Sequence, residues 1–377
     1  MRSSTRSLIG CVLLSGVLGT IHAFSLFIAP FESYLGAGRG GVGSVYSVAL
    51  ASLTVAVLLG HPLFRLIPGP FVALIATVGA ATGLLIAASA TSLGGVVLGY
   101  GVVFGSFNGL GYAFSLQRAA EANSDRPVLA LGLVTAAYAL GGASAAQLLD
   151  QQVATNGAPG GLESLAIAIT AVGVLASLLV GSTRSSAQRA RTRLTKTDFH
   201  LVARLWAAYG LAVVAGLMAL GHAAAIVDEV GGPGGSTVVL AGLASALGGV
   251  WIAFTANRTG RYRLLRQLPL SSAVVLSIAA LASHVFLLLA ALAGIAFAYG
   301  AIIAVYPLTV ARIFGEGDYP VAYGRVFTAW GVAGLAGPFG AGLLFEATGA
   351  YRVPLFLAAG AAVASALIAP LSWSTTR

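Results

Sequence analysis

The chain has 377 residues, of which 58% are hydrophobic and 8% charged, with a mean hydropathy of +0.93. A water-soluble domain carries about 25% charged residues, so this composition excludes an ordinary soluble globular protein. The net charge of +9 would suit nucleic acid, but the basic residues stand in short joints between apolar runs, which is the pattern of membrane topology.

A helix that crosses ~30 Å of hydrocarbon needs ~20 residues. Twelve runs meet this, at about 7–29, 41–60, 69–90, 94–116, 127–149, 162–182, 201–226, 236–256, 268–283, 285–307, 322–345 and 353–373. Arg2 and Arg6 precede the first run as they would in a signal peptide, but Ile21-His22-Ala23 is a poor cleavage site. A retained first helix is expected. The single cysteine, Cys11, lies inside this run, allows no intrachain disulfide and reads as a packing residue. The ninth and tenth runs are separated only by Ser283 and His284, which predicts a tight hairpin.

Residues 183–200 are polar and basic and divide the chain into six runs and six. The expected organisation is an N-terminal six-helix bundle over 1–182, a cytoplasmic basic linker over 183–200 and a C-terminal bundle over 201–377. With the N-terminus in the cytoplasm, all but Arg39 and Arg352 of the 20 Lys and Arg fall inside. That bias supports an even number of crossings and both termini in the cytoplasm of a plasma (inner) membrane.

The halves repeat. Gly16-x5-His22 matches Gly216-x5-His222, Tyr112-x5-Arg118 matches Tyr306-x5-Arg312, and Arg126, Gly132 and Gly141 match Arg325, Gly331 and Gly340. Their order pairs the first, fourth and fifth helices with the seventh, tenth and eleventh.

Asn257-Arg258-Thr259-Gly260-Arg261 resembles the cytoplasmic signature loop of the major facilitator superfamily, with Asn257 in place of its usual acid. The first-half counterpart keeps Arg65 but has Phe64 where the acid would stand. Ala311–Gly315 and Tyr323–Pro338 resemble the oxalate/formate antiporter and monocarboxylate transporter branch. The resemblance implies an all-α membrane protein, twelve helices in two pseudo-symmetric six-helix bundles, that moves a small solute by alternating access. It also implies an organic anion such as a monocarboxylate. Trp330 stands where that branch would carry a lysine, and 236–257 holds no Lys or Arg.

Ionisable side chains are costly inside a bilayer and usually face a partner or a wet cavity. His22 and His222 lie beyond mid-depth of matching helices, where a protonated pair could hold a carboxylate, or where each could be a neutral packing residue. Tyr112 and Tyr306, with Asn108 one turn before Tyr112 and Tyr299 two turns before Tyr306, are further candidates for solute contact, and Trp330 could close one side of the cavity. Tyr46, Tyr138 and Tyr209 are weaker options. Arg118, Arg126, Arg312 and Arg325, near Glu121, Asp125, Glu316 and Asp318, suggest an inner gate of ion pairs, and the signature-loop resemblance implies that Asn257, Arg258 and Arg261 help to control the rocking of the two halves.

Gly36-x-Gly38-x-x-Gly41 fits a dinucleotide fingerprint, but no strand precedes it. No cofactor or metal is expected, and the chain shows no hydrolase or nucleotide motif. The expectation is a secondary transporter, a non-enzyme, whose partners are a small-molecule substrate, a proton or counter-solute and the lipid bilayer, without nucleic acid. An exporter of a hydrophobic compound is the alternative. A membrane sensor or intramembrane enzyme is the rival of another class.

Overall fold

The computed structural model describes residues 3–181 and 196–370, except the side chains of 3, 127–128, 147, 196–198, 253, 256–259, 261 and 315–321. Most of the basic linker, and the side chains of Asn257, Arg258, Arg261, Glu316 and Asp318, therefore lie outside the described residues.

Among the described residues, eleven helices are long and apolar enough to cross a membrane, and the shorter apolar helix Arg352–Ile368 makes twelve. We number them α1 (3–35), α2 (Arg39–Leu59), α3 (Gly69–Ala88), α4 (Leu93–Ala122), α5 (127–156), α6 (158–179), α7 (Lys196–Leu220), α8 (Gly234–Thr259), α9 (Arg261–Leu281), α10 (Val285–Phe314), α11 (Ala322–Thr348) and α12 (Arg352–Ile368). Each of the twelve predicted runs has its helix, and the tight joint around Ser283 and His284 separates α9 from α10.

The joints follow from local chemistry. Helices α5 and α6 form one helical trace, Pro127–Leu179, that breaks at Gly157, where φ is 69° and ψ −174°. An L side chain would be strained there. Pro159 follows, in the first turn of a helix, where a missing N–H costs nothing. Helices α10 and α11 likewise share the trace Val285–Thr348. A straight helix of that length would run ~96 Å. The indole Nε1 of Trp330 nevertheless donates to the Tyr299 hydroxyl, 31 residues away, at 3.0 Å. The trace therefore doubles back between them.

Two departures from continuous helix matter for function. Helix α1 changes to a tighter 3-10 winding over Gly19–Phe27 before resuming at Ile28–Leu35. Helix α7, expected to run unbroken through 226, stops at Leu220, turns at Gly221-His222 and resumes as Ala223–Asp228. The breaks fall at His22 and His222, the matched positions of the repeat.

The repeat also appears in contacts that sequence comparison did not pair. Arg6 of α1 donates to the carbonyl of Leu178 at the end of α6. Arg204 of α7 donates to the carbonyl of Ile368 at the end of α12, at 2.6 Å. In both halves a guanidinium from the first helix caps the exposed carbonyl end of the sixth, where the helix dipole favours a cation.

Small residues set the helix crossings. A Cβ on Gly141 would lie 2.2 Å from the Gly16 carbonyl and 2.6 Å from Gly19 Cα. Helices α5 and α1 thus touch backbone to backbone, as expected in lipid, where packing rather than apolar burial drives association.

Candidate functional site

Three side chains donate to backbone carbonyls where α1 tightens to its 3-10 stretch. Thr20 Oγ1 donates to the Val17 carbonyl at 2.7 Å, Asn108 Nδ2 to Leu18 at 2.7 Å, and the Tyr100 hydroxyl to Ile21 at 3.4 Å. Asn108 Oδ1 in turn accepts from the Tyr138 hydroxyl at 2.8 Å. Asn108 is fully buried and so holds α1, α4 and α5 together. Its expected contact with solute is not available in this conformation, because its amide is committed to the broken helix.

On this scaffold sits an aromatic wall. His22 Nδ1 lies 3.2 Å from the Tyr46 hydroxyl, and its ring meets Tyr138 edge-on with centroids 5.2 Å apart. Tyr138 packs on Tyr112 at 4.2 Å, and Phe24 stacks on Tyr46 at 5.3 Å. His22 and Tyr112 are half-buried, the accessible members of this group.

The C-terminal half has its own aromatic pair, Tyr299 and Trp330. Trp330 donates to the Tyr299 hydroxyl and stacks on Phe327 at 5.8 Å. The bond leaves the Tyr299 hydroxyl its own hydrogen to donate. Tyr306, the repeat partner of Tyr112, is fully buried against Tyr209 with ring centroids 4.4 Å apart. It packs inside its own bundle.

His222 is placed otherwise than expected. It is fully buried, with Nε2 2.8 Å from the Pro338 carbonyl and Nδ1 2.8 Å from the Tyr351 hydroxyl. Both ring nitrogens are engaged, so His222 does not line a cavity with His22 here. The two histidines nevertheless approach the same helix within one turn, since His22 reaches Tyr46 and His222 packs against Gly43 of α2.

Above His222 the halves are tied together. The Arg39 guanidinium binds Glu32 through two bonds, at 2.6 and 2.8 Å. It also donates to the Tyr351 hydroxyl at 3.4 Å, pairs with Glu229 at 3.5 Å and lies 4.1 Å from the Phe345 ring centroid. The Gly40 amide at the start of α2 donates to Glu346 of α11 at 2.8 Å, a carboxylate at a helix N-terminus. Deeper, the Phe339 amide donates to Ser47 at 2.9 Å, and Gly331 packs on Thr54. Glu229 is shifted above the usual carboxylate range by burial, which Arg39 partly offsets. Asp228 is shifted the same way by burial and by the carboxylate of Asp150. Sequence reasoning missed this network because Arg39 counted only as a basic residue on the wrong side. Its signal was the charge cluster Glu32, Arg39, Asp228 and Glu229.

The residues expected at the opposite gate are partly visible. Arg118 is half-buried, 3.7 Å from Glu121, and packs beside Gly181 of its own half. Arg126, Arg312 and Arg325 are exposed at that face. The other expected members, Asn257, Arg258 and Arg261, are among the side chains not described.

The sequence matches no protein-family model and no curated protein. The fold does match. A crystal structure of the nucleoside transporter NupG, a point mutant, superposes with a TM-score of 0.74 at 15% identity, covering 96% of this chain and 98% of that one. The fold is the major facilitator fold, with two six-helix bundles, and among the described residues every regular element is a helix.

Proposed function

We propose that the chain is a secondary transporter that carries a small, uncharged, ring-bearing solute by alternating access between its two bundles. One observation carries the choice of solute. The apolar cores of the helices hold no Lys, Arg, Asp or Glu, with 7–31, 40–64, 66–117, 127–149, 205–227, 236–257 and 267–311 free of them. What those cores hold instead is aromatic: Tyr46, Tyr112 and Tyr138 in one half, and Tyr299 with Trp330 of α11 in the other. Flat faces and a few hydroxyls suit a planar solute with hydrogen-bonding edges. The fold shared with a nucleoside transporter supports nucleosides and nucleobases as the first compounds to try.

A monocarboxylate, the reading drawn from the Tyr323–Pro338 resemblance, is the second reading. A buried carboxylate needs a cationic partner, and half-buried His22 is the one ionisable side chain on the wall that could become one. Coupling to a proton or counter-solute is part of the proposal, because the chain has no nucleotide motif. Export of a hydrophobic compound would use the same rings. The basic face is assigned to the cytoplasm of the inner membrane by its Arg and Lys content.

The test is binding and counterflow in proteoliposomes with labelled nucleosides, small carboxylates and hydrophobic drugs across pH 5–8. Nucleoside binding that is flat with pH supports the first reading. Carboxylate binding that rises as pH falls, and vanishes in His22→Ala, replaces it with the second.

A further inference from the structure

We propose that His222 is a proton site that unlocks the gate closed by Arg39, so that protonation favours the conformation open on that face. The inference rests on the alternating-access reading and goes beyond it. The argument starts from which atoms can donate. The Pro338 carbonyl only accepts, so Nε2 of His222 carries the hydrogen of their 2.8 Å bond. Nδ1 is then the acceptor in the neutral ring, and the Tyr351 hydroxyl donates to it at 2.8 Å. The Tyr351 oxygen is left to accept from Arg39, at 3.4 Å. A directed chain therefore runs from Arg39 through Tyr351 to His222 and Pro338, joining α2 of one half to the α7 break and α11 of the other. Every link requires a neutral imidazole.

A proton on Nδ1 reverses the middle link. The imidazolium donates to Tyr351, whose oxygen must then accept from two cations at once while its own hydrogen loses its acceptor. The new charge also stands one hydroxyl away from half-buried Arg39, and like charges repel. The charged groups acting on His222 are Arg39 of α2 and Glu32 of α1, and Tyr351, in the turn before α12, bonds to it. Around Arg39 stand Glu229, which pairs with it, Asp228 beside that residue, and Glu346 of α11, which accepts from the adjoining Gly40 amide. Of the acids, Glu32 is already held by two bonds to Arg39, and Glu346 caps α2. The closed state thus excludes the proton, and opening the face exposes the ring to take it up. By linkage, a proton bound only in the open state shifts the balance toward that state.

The size of the shift follows from the ordinary histidine pKa of ~6.5 in the open state. Between pH 8 and pH 5 the open-to-closed ratio rises about thirtyfold. The test places spin labels at Tyr34→Cys and Thr348→Cys, exposed positions on the gate face of the two halves, in a Cys11→Ser background. Distances are read in proteoliposomes at both pH values with no solute present, so failure of the switch is told apart from failure to find a transported solute. The ratio of long-distance to short-distance populations is expected to rise about thirtyfold in the parent and less than threefold in His222→Gln. Tyr351→Phe, which keeps the ring but cuts the chain, is expected to raise that ratio at least threefold at pH 8 and to flatten the pH response. A parent that ignores pH, a His222→Gln variant that keeps the full response, or a Tyr351→Phe variant that stays closed like the parent at pH 8 overturns the proposal.

Discussion

Tyr138 donates its hydroxyl to Asn108 Oδ1 at 2.8 Å, and Asn108 passes the support on by donating to the Leu18 carbonyl at 2.7 Å. Two polar side chains on α5 and α4 thereby hold open a break in α1, and the His22 ring rests against the same tyrosine.

Replacing Asn108 by Leu removes the donor to the Leu18 carbonyl and leaves the buried Tyr138 hydroxyl without its acceptor. The expected cost is about 1–3 kcal/mol. Tyr138→Phe removes a single bond, which in a membrane protein is worth about 0.6 kcal/mol. Thermal or denaturant unfolding in detergent should rank the parent above Tyr138→Phe and Tyr138→Phe above Asn108→Leu. The reverse order would mean that the break is supported elsewhere.

Gly141→Ala tests the crossing beneath the same site. The added Cβ would meet the backbone of Gly16 and Gly19, and backbone cannot swing aside as a side chain can. An overpacking cost of about 1–3 kcal/mol is expected, together with weaker solute binding as α1 moves off α5. Gly132→Ala is the control, since a Cβ there meets nothing within 4 Å. Equal unfolding midpoints for the two variants would contradict the close approach.

The acids around Arg39 should behave differently. Burial raises the Glu229 pKa, and Arg39 only partly offsets this. A carboxyl with a raised folded-state pKa contributes stability below its unfolded pKa and loses that contribution as pH rises through the folded value. The melting temperature of Glu229→Gln, measured relative to the parent, should therefore increase between pH 4 and pH 7. Glu32→Gln removes the two-bond partner of Arg39 and should melt below the parent at pH 7.

Trp330→Phe and Tyr299→Phe separate solute contact from scaffolding. Each removes one side of a 3.0 Å hydrogen bond, so their effects on stability should be similar and small, about 0.6 kcal/mol. Tyr299→Phe also deletes the hydroxyl hydrogen that this bond leaves free to donate to a solute. A loss of affinity at least tenfold greater for Tyr299→Phe than for Trp330→Phe is expected in equilibrium binding. Equal losses would make the pair a packing unit only.

The twelve helices were legible because the rule that fixes them, ~20 apolar residues per crossing, acts locally. The breaks in α1 and α7 were not. Gly19 and Gly221 differ little in sequence from the many glycines that stay helical, and it takes Asn108, Tyr100 and Pro338, far along the chain, to make a break affordable. The repeat predicted that His22 and His222 correspond, and they do occupy matching interruptions. It could not tell that one ring is half-buried on the aromatic wall and the other sealed between α2 and α11. That difference comes from Pro338 and Tyr351, which have no matching residues in the first half.

The two arginine caps carry a mechanical consequence. Arg6 ties the first helix of its bundle to the tail of the sixth, and Arg204 does the same in the other. Each set of six is thereby clasped into a hoop, and a clasped hoop cannot splay like a fan. Movement between the two should be a tilt of one whole hoop against the other, with the strain gathered at the rim where Arg39 meets Tyr351.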